Sequence, residues 1–450
     1  KTSCTTMKKN GTGPHADRVA IHWFRRDLRL ADNTALMAAA KSGLPVLPIF
    51  IFDTNILLRL RLKEDRRIAF IYETLVKLRE SLLQHGGQLL VLHGKPEEVF
   101  ASLAERFSIA AVYCSEDYEP YARERDAKVA KFCQERGIVF TSTKDHVVFA
   151  PHEVLKDDGT PYHVFTPYSR RWLAAFEQNR PVVQAGLPQC RWQPAEGDNA
   201  MPCLEELGFY PVSSLAPPAL LDSAIIENYA ATRDIPGIRG TTRLGIHLRF
   251  GTVSVRQLAL VAQELSTKYL VELIWREFYQ MILWYYPDTM SKAFRAQYAG
   301  LKFPGTEDDF RRWRNAETGY DLVDAGIREL VETGFMHNRV RMVVASFLTK
   351  HLLCDWRWGE HFFAQYLLDY ELASNVGGWQ WSAGIGVDAA PYFRIFNPAE
   401  QQKKYDADGA YVQRWLGTDS NFFGTPRPQP IVDHRFARER CLKFFSTARP

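Results

Sequence analysis

Short apolar runs separated by longer amphipathic segments occupy the chain from Val19 to about Ser142. Five of these runs have the length and the β-branched and aromatic content of buried strands: VAIHWF, VLPIFIF, QLLVLH, AAVYCS and IVFTST. Strands that alternate with helices in this way predict a doubly wound parallel sheet. The first helix should begin near Asp32 or Asn33, because both residue types are good N-caps. The first strand is followed by FRRDLRLADN rather than GxGxxG, so the ordinary dinucleotide-binding loop is absent.

The hydrophobic pattern changes twice further along the chain. Residues 146 to about 220 are rich in proline, glycine and polar residues with weak periodicity, which predicts a long interdomain linker. From about Leu221 helical periodicity continues almost to the end, with breaks predicted around residues 236–240, 300–305 and 377–398. The predicted fold class is α/β plus all-α, with a flexible tail over residues 1–18, an α/β domain over 19–145, the linker over 146–220 and an all-helical domain over 221–450.

Composition points to the second half of the chain as the place of the unusual chemistry. The 450 residues are 46% hydrophobic and 13% aromatic, and eight of the eleven tryptophans lie after residue 240. The net charge of +4 is mild and gives only a weak indication of an anionic partner. Local charge says more, because residues 235–263 contain four arginines and no acid. Such a segment is expected where phosphate groups are held.

Cysteine spacing and the N-terminal sequence exclude several classes of protein. Seven cysteines without a CxxC pair argue against a disulfide framework, a structural zinc site or an obvious iron–sulfur cluster. The N-terminal KTSCTTMKKNGTGPHAD is polar, and no apolar run reaches membrane-spanning length. We therefore expect a monomeric cytoplasmic protein with no metal and no membrane anchor.

Three runs in the helical half combine residue types that suit a flat cofactor or a nucleobase. They are FMHNRVRMVVASFLTK (335–350), DYELASN (369–375) and GGWQWSAGIGVDAAPYFRIFNP (377–398). Aromatic faces beside a cation can hold a planar ligand, although an aromatic run by itself is more often part of a core. In this order and proximity the runs resemble those of the photolyase and cryptochrome flavoproteins. The chain is most similar to class I cyclobutane pyrimidine dimer photolyases, over about residues 19 to 441.

This resemblance implies a light-driven DNA repair enzyme. Reduced flavin adenine dinucleotide (FAD), excited by blue or near-ultraviolet light, would pass an electron to a cyclobutane pyrimidine dimer flipped out of UV-damaged DNA. A second antenna chromophore is implied, either methenyltetrahydrofolate or 8-hydroxy-deazaflavin. Two alternatives remain: a cryptochrome-type photoreceptor without repair activity, and a six-four photolyase. The second position of the histidine pair that animal six-four photolyases carry is Asn338 here, which favours cyclobutane dimers.

The run GTTRLGIHLRFG (240–251) predicts a diphosphate site from its residues alone. Glycine, threonine hydroxyls and an arginine precede a helical pattern, and backbone amides at a helix start attract anions. Gly245 and Glu371 depart from the serine and aspartate usual in the family. Asn375 would face flavin N5 and favour the reduced, anionic flavin. The full set of FAD-binding positions implied by the resemblance is Tyr229, Thr241, Thr242, Arg243, Leu244, Gly245, Arg276, Asn338, Arg341, Asp369, Glu371 and Asn375.

The run ELIWREFY (272–279) places a glutamate and an arginine on one helical face with two aromatics, which a core stripe would not normally include. By resemblance, Trp275 is the platform on which the dimer stacks and Glu272 hydrogen-bonds its base edge. Asn338, Met342 and Asn375 complete the implied catalytic set. The implied DNA-binding positions are Arg233, Glu272, Trp275, Tyr279, Asn338, Arg339, Trp381, Arg394 and Gln401.

Two further groups are implied, one for electron transfer and one for the antenna. Trp379 and Trp356 match the inner members of the tryptophan chain that feeds electrons to the flavin, but the outer position is Phe303. Trp358, Trp284 and Tyr298 are candidate substitutes for it; without one, photoreduction of oxidised flavin should be slow. In the loop YCSEDYEPYARERD (113–126), Asp117 and Glu119 are candidate antenna contacts, and a charged surface loop is an equally good interpretation.

Overall fold

A parallel five-stranded sheet forms the centre of the N-terminal part of the chain. The computed structural model describes residues 18–195, 199–417 and 428–447; all but the last residue of the predicted 1–18 tail lies outside the described residues. The strand order is β3-β2-β1-β4-β5, which confirms the doubly wound sheet, and each of the five predicted runs forms a strand. The strands are Val19–Phe24 (β1), Val46–Asp53 (β2), Leu90–Gly94 (β3), Ile109–Ser115 (β4) and Val139–Thr143 (β5).

Helices cover both faces of this sheet. Trp23 and Phe100 belong to the core on one face, and Phe24 and Phe50 to the core on the other. Asn33 caps the first helix as expected, because its side-chain oxygen accepts the Leu36 N–H at 2.9 Å. The helices of this part are Thr34–Lys41 (α1), Thr54–Leu57 (α2), Arg66–Gln84 (α3), Pro96–Arg106 (α4) and Pro120–Gln134 (α5).

The segment interpreted as a linker contains a helix that the sequence reasoning missed. Helix α6, Phe165–Gln178, buries Phe165, Tyr168, Trp172 and Phe176. These aromatics recur every three or four residues, which is helical spacing, but the proline- and glycine-rich flanks obscured it. All four pack in one core with Phe278 of the helical half, so this part of the segment is built into the second half of the molecule.

The rest of the described chain is helical. Its largest core gathers Trp313, Trp356 and Trp379. Two 3₁₀ helices, Pro287–Met290 and Ala296–Tyr298, and a π-helix, Phe347–His351, interrupt the α-helices. The α-helices are Ser223–Glu227 (α7), Tyr229–Thr232 (α8), Gly245–Phe250 (α9), Val255–Leu265 (α10), Thr267–Tyr285 (α11), Glu307–Arg314 (α12), Asp321–Thr333 (α13), Asn338–Ser346 (α14), Trp356–Tyr366 (α15), Leu372–Ala383 (α16), Pro398–Tyr405 (α17), Ala410–Leu416 (α18) and His434–Ser446 (α19).

The predicted break over residues 377–398 is wrong in its first third. Helix α16 continues through the paired glycines to Ala383 and ends where Gly384 takes a positive φ of 81°. Gly377 is inside the helix because the Tyr279 ring of α11 occupies the space that a Cβ would need. Glycine here therefore serves close packing between helices rather than a loop.

Other expectations concern absences. Over the described residues, no helix combines the length and apolar character that crossing a membrane requires. Six cysteines in this part of the chain are free, and no group of three or more potential metal ligands occurs there.

Candidate active site

Helices α11, α14 and α16 pack together and carry most of the predicted site residues. Gly378 of α16 faces open space, since a Cβ added there would meet no heavy atom within 4 Å. It follows Asn375 by three residues and therefore lies on the same face of the helix. The predicted cofactor residues thus border a space rather than a filled core.

The expected ion pair between Arg341 and Asp369 is present. Arg341 Nη2 donates to the two Asp369 carboxylate oxygens at 2.9 and 3.1 Å, and Arg341 Nε donates to the Met336 carbonyl at 2.7 Å. Gly245 lies directly against this pair: a Cβ at this position would come within 2.8 Å of the Asp369 Cβ and Oδ2. The glycine that departs from the family serine is therefore matched to the position of Asp369.

Asn375 is held by a buried glutamate. Its Nδ2 donates to Glu360 Oε1 at 2.9 Å and to the Glu360 carbonyl at 3.1 Å. Burial raises the pKa of Glu360, although the bond from Asn375 opposes the shift. Because both amide hydrogens of Asn375 are used, the group that it can offer to a ligand is its oxygen.

Glu371 lies at the junction between the sheet and the helical half. Its Oε1 accepts hydrogen bonds from Arg276 at 2.9 Å, from Gln280 at 3.0 Å and from Arg26. Burial opposes ionisation of Glu371, yet Arg276 and Arg26 outweigh it and lower the pKa of the carboxyl. The glutamate is long enough to join two arginines that come from opposite halves of the molecule.

The candidate antenna residues belong to the same network. Asp117 accepts from Arg26 at 3.1 Å, and Glu119 accepts from Arg249 at 2.6 Å. Arg26 follows β1 and Asp117 follows β4, so they meet at the carboxyl ends of adjacent strands on either side of the switch in strand order, where α/β sheets bind ligands. Sequence reasoning missed Arg26, although its place directly after the first strand was a usable signal.

The predicted diphosphate residues form an exposed turn before α9. Arg243 has a positive φ of 54°, and its guanidinium lies 4.3 Å over the Phe335 ring. Thr242 Oγ1 is 2.8 Å from the Tyr269 hydroxyl, and the Tyr229 ring lies 5.0 Å from the Tyr269 ring. Thr241 is partly buried beside them, whereas Leu244 is buried in the core of the helical half.

The predicted lesion platform rests on a residue that the sequence reasoning did not identify. The rings of Trp275 and Phe165 are stacked, with centroids 3.6 Å apart and planes at 5°. Phe165 begins α6, where its N–H is held by Asp388 at 3.1 Å. Trp275 remains partly exposed, so one face of its ring is covered by Phe165 while the residue still reaches the surface. Nearby, Glu272 forms an ion pair with Arg233.

The remaining predicted DNA contacts lie at the surface around this platform. Arg339 is paired with Asp234 at 2.7 Å, lies 4.4 Å over the Tyr405 ring and reaches Met342 Sδ at 3.8 Å. Arg394 is exposed, and its carbonyl is fixed by Lys350 Nζ at 2.9 Å. The other members are exposed or partly exposed: Asn338, Trp381, Tyr279 and Gln401.

The predicted electron-transfer residues lie in the core of the helical half. Trp379 and Trp356 are 2% and 3% exposed, which makes both of them interior groups. Phe303, at the outer position, packs against Phe444 and Phe445 of α19 at centroid distances of 5.5 and 6.5 Å.

Comparison with known proteins identifies relatives of the whole chain. Residues 20–188 match the model described as DNA photolyase, and residues 269–447 match the FAD binding domain of DNA photolyase. A deoxyribodipyrimidine photo-lyase of Synechococcus sp. is 38% identical, covering 95% of this chain and 96% of that protein. Two solved structures are similar throughout. A class III photolyase from Agrobacterium tumefaciens has a TM-score of 0.85 at 30% identity, covering 98% of this chain and 99% of that one. A cryptochrome from Synechocystis sp. has a TM-score of 0.84 at 25% identity, covering 96% and 100%.

Proposed function

Because the chain belongs to the DNA photolyase family, we propose that it uses light to split cyclobutane pyrimidine dimers in UV-damaged DNA, acting as a monomer. The observation that carries the proposal is the stacked pair of Trp275 and Phe165 beside the Glu272 carboxylate. A flipped pyrimidine needs an aromatic surface for its π-face and a hydrogen-bond acceptor for its N–H edge. This arrangement offers both within one helix.

The residues present fit FAD. The open space beside Gly378 gives a ring system room, and Asn375 directs its oxygen toward any group bound on that face of the helix. That oxygen would accept a hydrogen bond from the N5–H of reduced flavin. Thr242 and Arg243 would hold the diphosphate, while the Arg341–Asp369 pair would lie at the isoalloxazine edge. When bound and reduced, FAD supplies the light-excited electron that splits the cyclobutane ring.

The lesion would enter between the Trp275 platform and α14. Trp275 stacks on the dimer, which contributes roughly 1–3 kcal/mol per base and helps to offset the cost of flipping it out. Arg233 holds the Glu272 carboxylate so that its oxygens face the base edge. Met342 and Asn338 contact the dimer from the second helix. Arg339, Arg394, Trp381, Tyr279 and Gln401 line the surrounding surface, where the cations contact phosphates.

A second, light-harvesting chromophore would bind beside the loop of residues 113–126. Asp117 and Glu119 already accept hydrogen bonds from Arg26 and Arg249, so their positions are fixed. The chromophore would use their remaining lone pairs. Because Arg26 also contacts Glu371, this site and the flavin site would share one buried ion network.

The test is a repair assay on two defined oligonucleotides, one with a thymine cyclobutane dimer and one with a six-four product. Purified protein with reduced FAD is illuminated, and the bases are separated by chromatography. We expect thymines from the first substrate only, with a dark sample as control. Repair of the six-four product alone would indicate a six-four photolyase. Repair of neither, by protein that has bound FAD, would favour the photoreceptor alternative.

A further inference from the structure

We propose that this chain photoreduces its flavin through a tryptophan branch in which the electron enters at Trp358, passes to Trp313 and reaches the flavin from Trp379. The inference rests on flavin binding as assigned above and goes beyond repair. Repair starts from reduced flavin and returns the electron, so it does not need this branch. Refilling an oxidised flavin does, because the electron must come from the surface.

The branch through Trp356 is closed on its outward side. Phe303 packs against two further phenylalanines, Phe444 and Phe445, and phenylalanine is far harder to oxidise than tryptophan. Tyr298, one candidate substitute, is only 5% exposed, and its ring contacts Phe445 at 5.9 Å. It would still lack a way to the solvent.

Trp284, another candidate, is directed elsewhere. Its ring contacts Tyr118 at 5.8 Å and lies 3.9 Å from the Arg123 guanidinium, both on the loop and helix that follow β4. Of the three candidates, Trp358 is the one that a series of ring contacts connects to Trp379.

The connecting rings form a continuous series. Trp379 meets Trp313 with centroids 6.1 Å apart at 72°. Trp313 is stacked with Phe310 at 5.7 Å and 22°, and Phe310 meets Trp358 at 5.5 Å and 56°. These last two steps bound the separation of Trp313 and Trp358, so Phe310 acts as a packed bridge and not as a site of oxidation. Gly359, next to Trp358, lies against the Trp379 ring and has no room for a Cβ.

The surroundings of the three indoles favour movement of positive charge outward. Trp379 is buried, and its Nε1 has no hydrogen-bond partner among the described residues. Trp313 Nε1 donates to the Val344 carbonyl at 3.3 Å. A carbonyl that accepts from the N–H stabilises the oxidised, cationic indole, so charge on Trp313 is more stable than charge on Trp379. Trp358 is partly exposed, and water stabilises charge there further.

Trp358 opens onto a groove where a reductant can reach it. The groove has a volume of about 940 Å³ and is lined by Trp358, Phe310 and the cations Arg61, Arg314 and Arg328. This positive rim would attract anionic reductants such as thiolates.

The electron balance is simple. One electron leaves Trp379 for the excited oxidised flavin, and one electron each from Trp313 and Trp358 refills the indole ahead of it. The oxidised Trp358 releases its indole N–H proton to water. A thiolate then supplies one electron, and water returns the proton. Two such thiols end as a disulfide after two turnovers.

The experiment is transient absorption of tryptophanyl radicals after a flash on the oxidised, FAD-loaded protein, with a thiol as reductant. We compare the unmodified chain with W358F, W313F and W356F, and use W284F as a matched control for loss of a partly exposed tryptophan off the path. We expect W358F and W313F to lose the long-lived radical and to photoreduce slowly. W356F and W284F should keep both.

The opposite pattern overturns the proposal: W356F loses the radical while W358F retains it, or W358F has no effect. Because Trp313 is completely buried and its variant can fail to fold, W358F alone decides the outcome. The flavin absorbance of each variant before the flash confirms that the cofactor is bound. Repair of a thymine dimer by chemically pre-reduced samples is measured separately, so failure of the repair assignment is distinguished from failure of this branch.

Discussion

Replacing Phe165 with leucine isolates the support beneath the lesion platform. Leucine keeps an apolar side chain at a position that is 8% exposed but removes the ring stacked on Trp275 at 3.6 Å. Aromatic pairs contribute about 0.5–1.5 kcal/mol beyond their buried area. If that energy holds the Trp275 ring in its binding orientation, its loss weakens damaged-DNA binding by roughly two- to tenfold.

The assay is fluorescence anisotropy in the dark, with a labelled duplex that contains one thymine dimer and an undamaged duplex of the same sequence. Phe149→Leu is the matched control, because Phe149 lies in the same core but contacts Trp172, at 5.3 Å and 85°. We expect Phe165→Leu to lose affinity for the damaged duplex only, and Phe149→Leu to leave both affinities unchanged. Equal loss on both duplexes, or no loss on the damaged one, would refute a positioning role for Phe165.

Three further changes test other parts of the site. Trp275→Ala should cost about 1–3 kcal/mol of binding to damaged DNA, measured by the same anisotropy titration, and much less for undamaged DNA. Gly245→Ser should displace Asp369 and lower the free energy of unfolding by about 1–3 kcal/mol in denaturant titrations, whereas Gly300→Ser, in open space, should not. Glu371 has a folded pKa below its model value of 4.5, so its ion pairs stabilise the protein above that pH and the stabilisation is lost as the pH falls below it. The difference in unfolding free energy between the unmodified chain and Glu371→Gln should therefore shrink on acidification, and a constant difference would contradict the assignment.

Local patterns in the sequence predict much of the fold. The five strands are continuous apolar runs with turn residues between them, so their positions follow from the chain itself. The Asn33 cap follows for the same reason. Helix α6 was missed although its aromatic spacing is helical, because its proline-rich flanks resembled a linker. The start of 377–398 was misread because Gly377 is required by the neighbouring Tyr279 ring and not by a turn.

Contacts between distant segments are what the sequence cannot supply. Arg26 and Glu371 are 345 positions apart, and nothing in either segment indicates that they meet. Likewise, the stack of Phe165 on Trp275 depends on how α6 folds back onto α11. The Arg341–Asp369 pair was expected only because a family resemblance linked two separate motifs. Residue types and spacing suggested a flavin and DNA site, while its supporting contacts needed the folded chain.

The most direct measurement of the central claim is single-turnover repair. Pre-reduced, FAD-loaded protein is mixed with an excess of a thymine-dimer duplex and receives one brief flash, and the restored thymines are counted against the protein present. The account predicts that thymines appear after the flash in the reduced sample and are absent in the dark and in an oxidised sample without reductant. An intact dimer after repeated flashes, in reduced protein that demonstrably binds the damaged duplex, would contradict it.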